Sequence, residues 1–332
     1  MDGTTAVARA PAKGPAGKPA KERAKRRPFF RTLWKQRFLV LLLIPGLANF
    51  IVWHYIPMYG VTLAFKDYNI RQGIFGSPWA ADLGLHHLVS FLNYPYFWRM
   101  IANTVWLNLL LAFFLPLPGI IFALALNEIR LVRFKRMVQT VSYFPYFLSS
   151  VAVVGIFAMI LSPSTGVVNS IIELLGGEPI YFLMKAEFFR PLMLTMSAWQ
   201  AVGWDTIIWL ARIATIDTQL YESATVDGAG RLKKMWYITL PAFKEWYVIG
   251  LILSFGSLLA SSGFEKNLLL YQANPGIVSQ AETIGIYLYR RGLVDTQFSY
   301  GAMVGFANML VCLVMLFIGN LVSRKLTDEA IW

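Results

Sequence analysis

The chain has 332 residues, 57% of them hydrophobic and 14% charged, with a mean hydropathy of +0.53. A soluble domain carries about 25% charged residues, so this balance excludes an ordinary soluble protein and indicates one built into a membrane. The formal net charge of +12 invites a nucleic-acid reading, but a basic segment beside an apolar chain is better suited to anchoring near anionic lipid.

Eleven of the 30 Lys and Arg residues lie in residues 1–37, where "KGPAGKPAKERAKRRPFFRTLWKQR" is rich in Pro, Ala, Gly and Lys. Such a composition cannot bury a core. The arm is therefore expected to be disordered, to lie in the cytoplasm near anionic lipid and to bind no nucleic acid. It is too long and too charged for a cleavable signal peptide, and the apolar run that follows is already of spanning length.

Six predominantly apolar runs follow, at 38–64, 101–126, 138–161, 191–213, 246–264 and 301–322. Each approaches the roughly 20 residues needed to span a membrane as a helix. The expected fold class is an all-α membrane protein of six transmembrane helices, a single domain over 38–332. The fifth run is the weakest, since "SFGSLLASSG" is rich in small and hydroxyl residues, as a helix packed inside a bundle tolerates. Breakers fall inside the spans, at Pro45, Gly46, Pro57, Pro116, Pro118 and Pro145. They are tolerated where neighbours re-satisfy the freed backbone groups.

Orientation follows from the loops. Twenty-two Lys and Arg against nine acids lie in the arm, 127–137, 212–245 and the C-terminal tail, while eight against eight lie in 66–100, 162–190 and 265–300. Both termini and the 214–245 region are expected in the cytoplasm. The opposite loops, rich in aromatics and turn residues, are expected to form short helices across the outer face.

Chemistry-bearing motifs are few. No GxxxxGK[ST] phosphate loop occurs, "GAG" at 228–230 lacks the rest of a dinucleotide fingerprint, and neither a GxSxG elbow nor a TVGYG filter is present. His54, His86 and His87 have no spacing that would hold a metal, and the one cysteine, Cys312, forms no intramolecular disulfide. No catalytic or metal site is expected.

The stretch "ESATVDGAGRLKKMWYITLP" at 222–241 is long for a mere chain reversal. Asp217 or Thr218 can cap a short helix, "TQLYESATV", that Gly228 stops by turning through positive φ. "RLKKMWYI" can form a second helix, and Pro241 can open the next membrane span. The result is a helix–turn–helix on the membrane surface. On physics alone it either enters a partner's groove or packs only against its own bundle.

The spacing Glu222-Ser223-Ala224, three residues ending at Asp227, Gly228, nine residues, then Ile238, Leu240 and Pro241 resembles the EAA loop of permease subunits of binding-protein-dependent ABC importers. Ser223 stands where the family usually has alanine. The flanking "SAWQAVGWDTIIWLARIATIDTQLYESATVDGAG" looks like the maltose-type carbohydrate branch, and "NLVSRKLTDEAIW" like its sub-branch for oligosaccharides from complex polysaccharides. The resemblance covers roughly 101–332.

It implies a type I importer permease fold in a bacterial cytoplasmic membrane, with 214–245 as a coupling loop docked on an ATPase. It also implies a second permease subunit, two ATPase subunits that carry ATP and Mg, and an external solute-binding protein. No cofactor belongs to this chain itself. The rival classes lack support: a secondary transporter needs intramembrane acids, and Asp205 is the only acid in a span; a membrane enzyme needs a catalytic set.

The resemblance also puts sugar contacts near the loop and on the last span, where Trp199, Gln200, Trp204, Ser254, Ser257, Ser261 and Asn308 are the candidates. Asp205 is expected to pair, with Arg212 or with a partner subunit. Lys266, Arg290 and Arg291 have two readings: they attract an acidic oligosaccharide, or they pair with Glu265, Glu282 or the binding protein's acidic rim.

Overall fold

The computed structural model describes residues 36–256 and 263–327, so the basic arm lies almost wholly outside the described residues. The chain divides into two units, 1–59 and 60–332. Helical geometry starts at Arg37 and continues to Phe65 (α1), through a π-turn at Ile51–Tyr55 and a closing 3₁₀ stretch at Tyr59–Phe65. Its apolar side chains, Phe38, Leu42 and Trp53 among them, are exposed, as a helix facing lipid or another subunit would leave them.

Gly60 onward forms the second unit. Its main helices are α2 (Phe97–Phe114), α3 (Pro116–Glu128), α4 (Val132–Tyr143), α5 (Ser150–Ile160), α6 (Ala186–Ala214), α7 (Thr218–Val226), α8 (Leu240–Gly256), α9 (Phe264–Ala273) and α10 (Phe298–Thr327). No strand occurs among the described residues, only an isolated bridge between Lys66 and Trp79. By length and apolarity α1, the α2–α3 pair over Phe97–Glu128 and α10 over Phe298–Leu321 can each cross a membrane. A fourth crossing follows if α4 and α5 count as one span. Although α6 is 29 residues long, it falls short on composition.

The run over 138–161, expected as one span with a tolerated breaker at Pro145, is instead broken into two helices. Helix α4 ends at Tyr143, Phe144–Phe147 is a 3₁₀ turn holding Pro145, and α5 departs at 104°. The new helix has its own cap, because Ser149 Oγ accepts from Ala152 N at 3.2 Å. Two prolines elsewhere are absorbed without a break. Pro57 follows the π-turn at Ile51–Tyr55 and Pro241 follows one at Met235–Thr239, each by two residues. A proline ring collides with the carbonyl four residues back, and widening the turn before it removes that collision. Pro241 therefore sits within a continued helical run from Arg231 rather than opening a separate helix.

Three clusters hold the second unit. Leu107, Leu111, Val153, Phe189, Met193, Met196 and Leu270 join α2, α5, α6 and α9. Phe91, Met100, Ile284, Tyr287 and Val304 join α2 to α10 and the 284–288 turn. Ile120, Ala123, Trp209 and Phe243 join α3, α6 and α8. Helix α6 meets the end of α4 so closely that a Cβ at Gly203 would collide with the Ser142 carbonyl. Gly203→Ala should therefore cost about 1–3 kcal/mol of stability, read as a lowered melting temperature of the solubilised protein. An unchanged melt would mean that the two helices do not approach so closely.

Candidate functional site

One face of α6 forms the wall of a cavity of about 740 Å³, within the range of small-molecule sites. Ser197, Gln200, Ala201, Asp205 and Ile208 line it at helical spacing. Facing them are Asn108 and Leu111 of α2, Trp246, Ile249, Leu253 and Ser254 of α8, and Gly263 and Lys266 at the start of α9. The wall is mainly apolar, with Asn108, Ser197, Gln200, Asp205, Ser254 and Lys266 as its polar groups.

Each polar group has a distinct local setting. Gln200 Nε2 donates to Leu148 O at 2.7 Å, satisfying a carbonyl freed by the α4–α5 break. Lys266 Nζ donates to Ser197 Oγ at 3.4 Å. Asn108 Nδ2 donates to Thr104 O at 2.8 Å. Asp205 makes no ion pair among the described residues, contrary to the expected pairing with Arg212. That guanidinium is taken by Glu245 at 2.6 Å and by Ala242 O at 2.9 Å, both on α8.

Of the sequence candidates, Gln200 and Ser254 line this cavity. Trp204 shares their side of α6 but lies flat on Tyr146, ring centroids 4.6 Å apart, so Tyr146 supplies the wall. Trp199 points to the other side and meets Phe157 edge-on. Asn308 lines a separate, strongly apolar pocket of about 730 Å³ with Phe65, Phe91 and Met303. Ser257 and Ser261 lie outside the described residues. Asn108, Tyr146, Ser197, Trp209 and Trp246 were missed as cavity residues, and Lys266, read from the sequence as one of three cations with two possible roles, also lines it. For Ser197 a signal existed: it lies three residues before Gln200 and eight before Asp205 on one helical face. Tyr146 could not be placed without the 104° bend.

The cations of the 265–300 loop are mostly paired. Arg290 contacts Glu282 at 3.0 Å and donates to Tyr271 Oη at 2.6 Å; Arg99 reaches Glu282 at 3.6 Å; Arg291 meets Asp295 at 3.3 Å. Tyr94 Oη also donates to Glu282, at 3.4 Å. Burial raises the Tyr94 phenol above its ordinary value and Glu282 adds to the shift, so Tyr94 remains a donor. Among the histidines, His87 Nε2 lies 3.1 Å from Asp67 and His86 Nδ1 3.5 Å from Asp82.

The 218–241 region has the expected local form. Asp217 Oδ1 caps α7 by accepting from Gln219 N at 2.9 Å, and Gly228 turns the chain with φ +73°. Ala229 N donates back to Ala224 O at 2.8 Å. Two cross-bonds brace the turn: Lys234 Nζ to Thr225 Oγ1 at 2.6 Å, and Tyr221 Oη with Thr239 Oγ1 at 2.9 Å. Glu222, Ser223 and Asp227 are exposed, Ala224, Ile238 and Leu240 half-buried and Pro241 exposed. Val226 and Tyr237 present apolar surface to solvent at 88% and 80% exposure.

Residues 116–328 match the family described as binding-protein-dependent transport system inner membrane component. The chain belongs to that family. It is 42% identical to the polygalacturonan/rhamnogalacturonan transport system permease protein YteP of Bacillus subtilis (strain 168), over 90% of this chain and 91% of the relative. It is 30% identical to the arabinooligosaccharides transport system permease protein AraP of the same organism, over 72% of this chain and 74% of that one. Among solved structures it is similar to a chain of a bacterial alginate ABC transporter in complex with an alginate pentasaccharide-bound periplasmic protein. That likeness has a TM-score of 0.81 and 34% identity, over 92% of this chain and all (100%) of that one.

Gln200 thus has a structural duty that is separable from any contact with a solute. Gln200→Leu should leave Leu148 O without its donor and cost about 1–3 kcal/mol. The check is a thermal melt of the solubilised protein without solute. A melt identical to wild type would remove that duty.

Proposed function

We propose that this chain is a permease subunit of an ATP-driven importer that moves an oligosaccharide across the bacterial cytoplasmic membrane by alternating access. The observation that carries the reading is the nearly full-length likeness to the alginate transporter chain, joined by relatives named for oligosaccharide and polysaccharide transport. Six spans, both termini in the cytoplasm, a second permease, two ATPases and an external binding protein complete the proposal. ATP and Mg belong to the ATPases, since the chain carries no phosphate loop.

In this reading α7 is the docking helix. Its exposed Val226 and Leu220 offer apolar contacts to an ATPase groove. The brace between Lys234 and Thr225 stops the turn from absorbing the motion. The cavity against α6 is the solute's route, opened first to the binding protein and then to the cytoplasm.

Two experiments test it. No atom lies within 4 Å of a Cβ built at Gly228, so Gly228→Val costs only the backbone strain of φ +73°, about 1–2 kcal/mol. Transport and substrate-stimulated ATP hydrolysis by the reconstituted complex should fall together while solute binding by the external protein stays normal. Intact transport would refute docking through this turn. For topology, cysteines at Ala20, Gly230 and Thr327 in a Cys312-free chain should resist an impermeant thiol reagent on intact cells. Those at Gly76, Gly176 and Ala273, all exposed positions, should react. Labelling at Gly230 from outside would put the turn beyond any ATPase and end the importer reading.

A further inference from the structure

Five of the eight cations assigned to the 66–100, 162–190 and 265–300 side are held by partners within the chain. Arg99 and Arg290 share Glu282, Arg291 has Asp295, Arg190 donates to Asn103 Oδ1 at 3.5 Å, and Lys66 donates to Ile74 O and Phe75 O at 2.8 and 3.2 Å. Lys266 differs. It is half-buried in the cavity wall, makes no ion pair among the described residues, and gives one long bond, 3.4 Å, to the neutral Ser197 hydroxyl. An ammonium carries three donors, so two have no acceptor among the described residues.

No neighbour among the described residues closes a contact ion pair with it. Glu265, next in the chain, acts on the ammonium through space, but its carboxylate accepts from Ser150 Oγ at 2.7 Å and makes no ion pair with Lys266. Asp205, the one carboxylate lining this cavity, is eight residues from Ser197 on α6, about 12 Å along the axis, and forms no ion pair with Lys266. A second group of the same wall is also under-used: Asn108 Oδ1 is buried and accepts no hydrogen bond from the described residues. A partly desolvated cation without a contact ion pair is costly, and an anionic solute that bonds to it lowers that cost.

We propose that Lys266 is a specificity-determining residue that pairs with a carboxylate of an acidic, uronic-acid oligosaccharide as it enters the cavity. This rests on the importer reading above and adds to it the charge class of the solute and the residue that reads it. Asp205, farther along the same α6 face, repels the same carboxylate, so the acid group is held at the Lys266 end rather than drawn through to α8's start. Arg290 and Arg291 take no part, because each is already held in an ion pair within the chain.

The test uses the complete transporter in proteoliposomes, with labelled trigalacturonate and its fully methyl-esterified form, each loaded on the binding protein. The ester keeps the sugar and removes the charge. Lys266→Gln should lower the catalytic efficiency of trigalacturonate uptake about tenfold, the scale of one charge-assisted hydrogen bond. It should leave the ester within about twofold of wild type by the same reasoning, which also shows that the variant folds and assembles. Lys266→Arg should retain most uptake of the acid. Equal losses for acid and ester would overturn the proposal and point to a carboxylate of the second permease as Lys266's partner. Wild-type uptake of the ester but not the acid would overturn it while leaving oligosaccharide import standing. Failure of the wild type to move either probe or a neutral arabino-oligosaccharide would remove the importer reading and this inference with it.

Discussion

A backbone carbonyl released from a helix inside an apolar bundle has no water to turn to, and leaving it bare costs several kcal/mol. This constraint organises the second unit. Where helices break or turns press between them, a side-chain donor from another element closes the gap. Gln200 serves Leu148 O at the α4–α5 break, and Tyr247 Oη serves Phe113 O before Pro116. Asn103 serves Ser279 O and Glu282 O, and Asn267 serves Ala281 O. Thr104 Oγ1 works in the other sense, accepting from Ile284 N at 2.9 Å. Irregular backbone is thereby pinned at fixed places along α2, α6 and α9.

Those pins create the cavity. The break after Pro145 lets α5 leave at 104°, so the Phe144–Phe147 turn delivers Tyr146 to the wall instead of continuing past it. Trp204 stacks on that ring and fixes its plane. Across the space, Gly263 enters α9 with φ +72°, which swings Lys266 toward Ser197. A wall of mainly apolar side chains with a few separated polar groups suits solutes that present both ring faces and hydroxyls, and it leaves the charges of Lys266 and Asp205 unneutralised by each other.

What was legible in the sequence was local. Asp217 as a cap and Gly228 as a left-handed stop were readable because both depend on neighbours within a few residues, and the apolar runs at 38–64, 101–126 and 301–322 lie within α1, α2–α3 and α10, the helices that can span. Contacts distant in the chain were not legible. The reading of Pro145 as a tolerated kink missed that Ser149 offers a competing helix start four residues later. Arg212 was matched to Asp205 by proximity in sequence, whereas Glu245 approaches it from α8. Choosing Trp199 for its aromatic ring ignored its helical phase, opposite to Ser197, and the candidate Asn308 belongs to a pocket with almost no other polar lining.

The helical run from Arg231 connects the two regions mechanically. It passes through the π-turn at Met235–Thr239 into α8 without a change of hand, and α8 then contributes Trp246, Ile249 and Leu253 to the cavity. A displacement applied to the braced turn at 228–234 is therefore carried along one continuous rod to the cavity wall. Near the rod's entry into the bundle, Arg212 grips it twice, through Glu245 and through Ala242 O, with its guanidinium also 5.8 Å from the Trp246 ring. A rod held near one point and pushed at its exposed end tilts rather than slides. Tilting moves Leu253 and Ser254 further than Trp246, since they lie two turns beyond the grip. When the rod tilts, the end of the wall at Ser254 is thus displaced further than the end at Trp246.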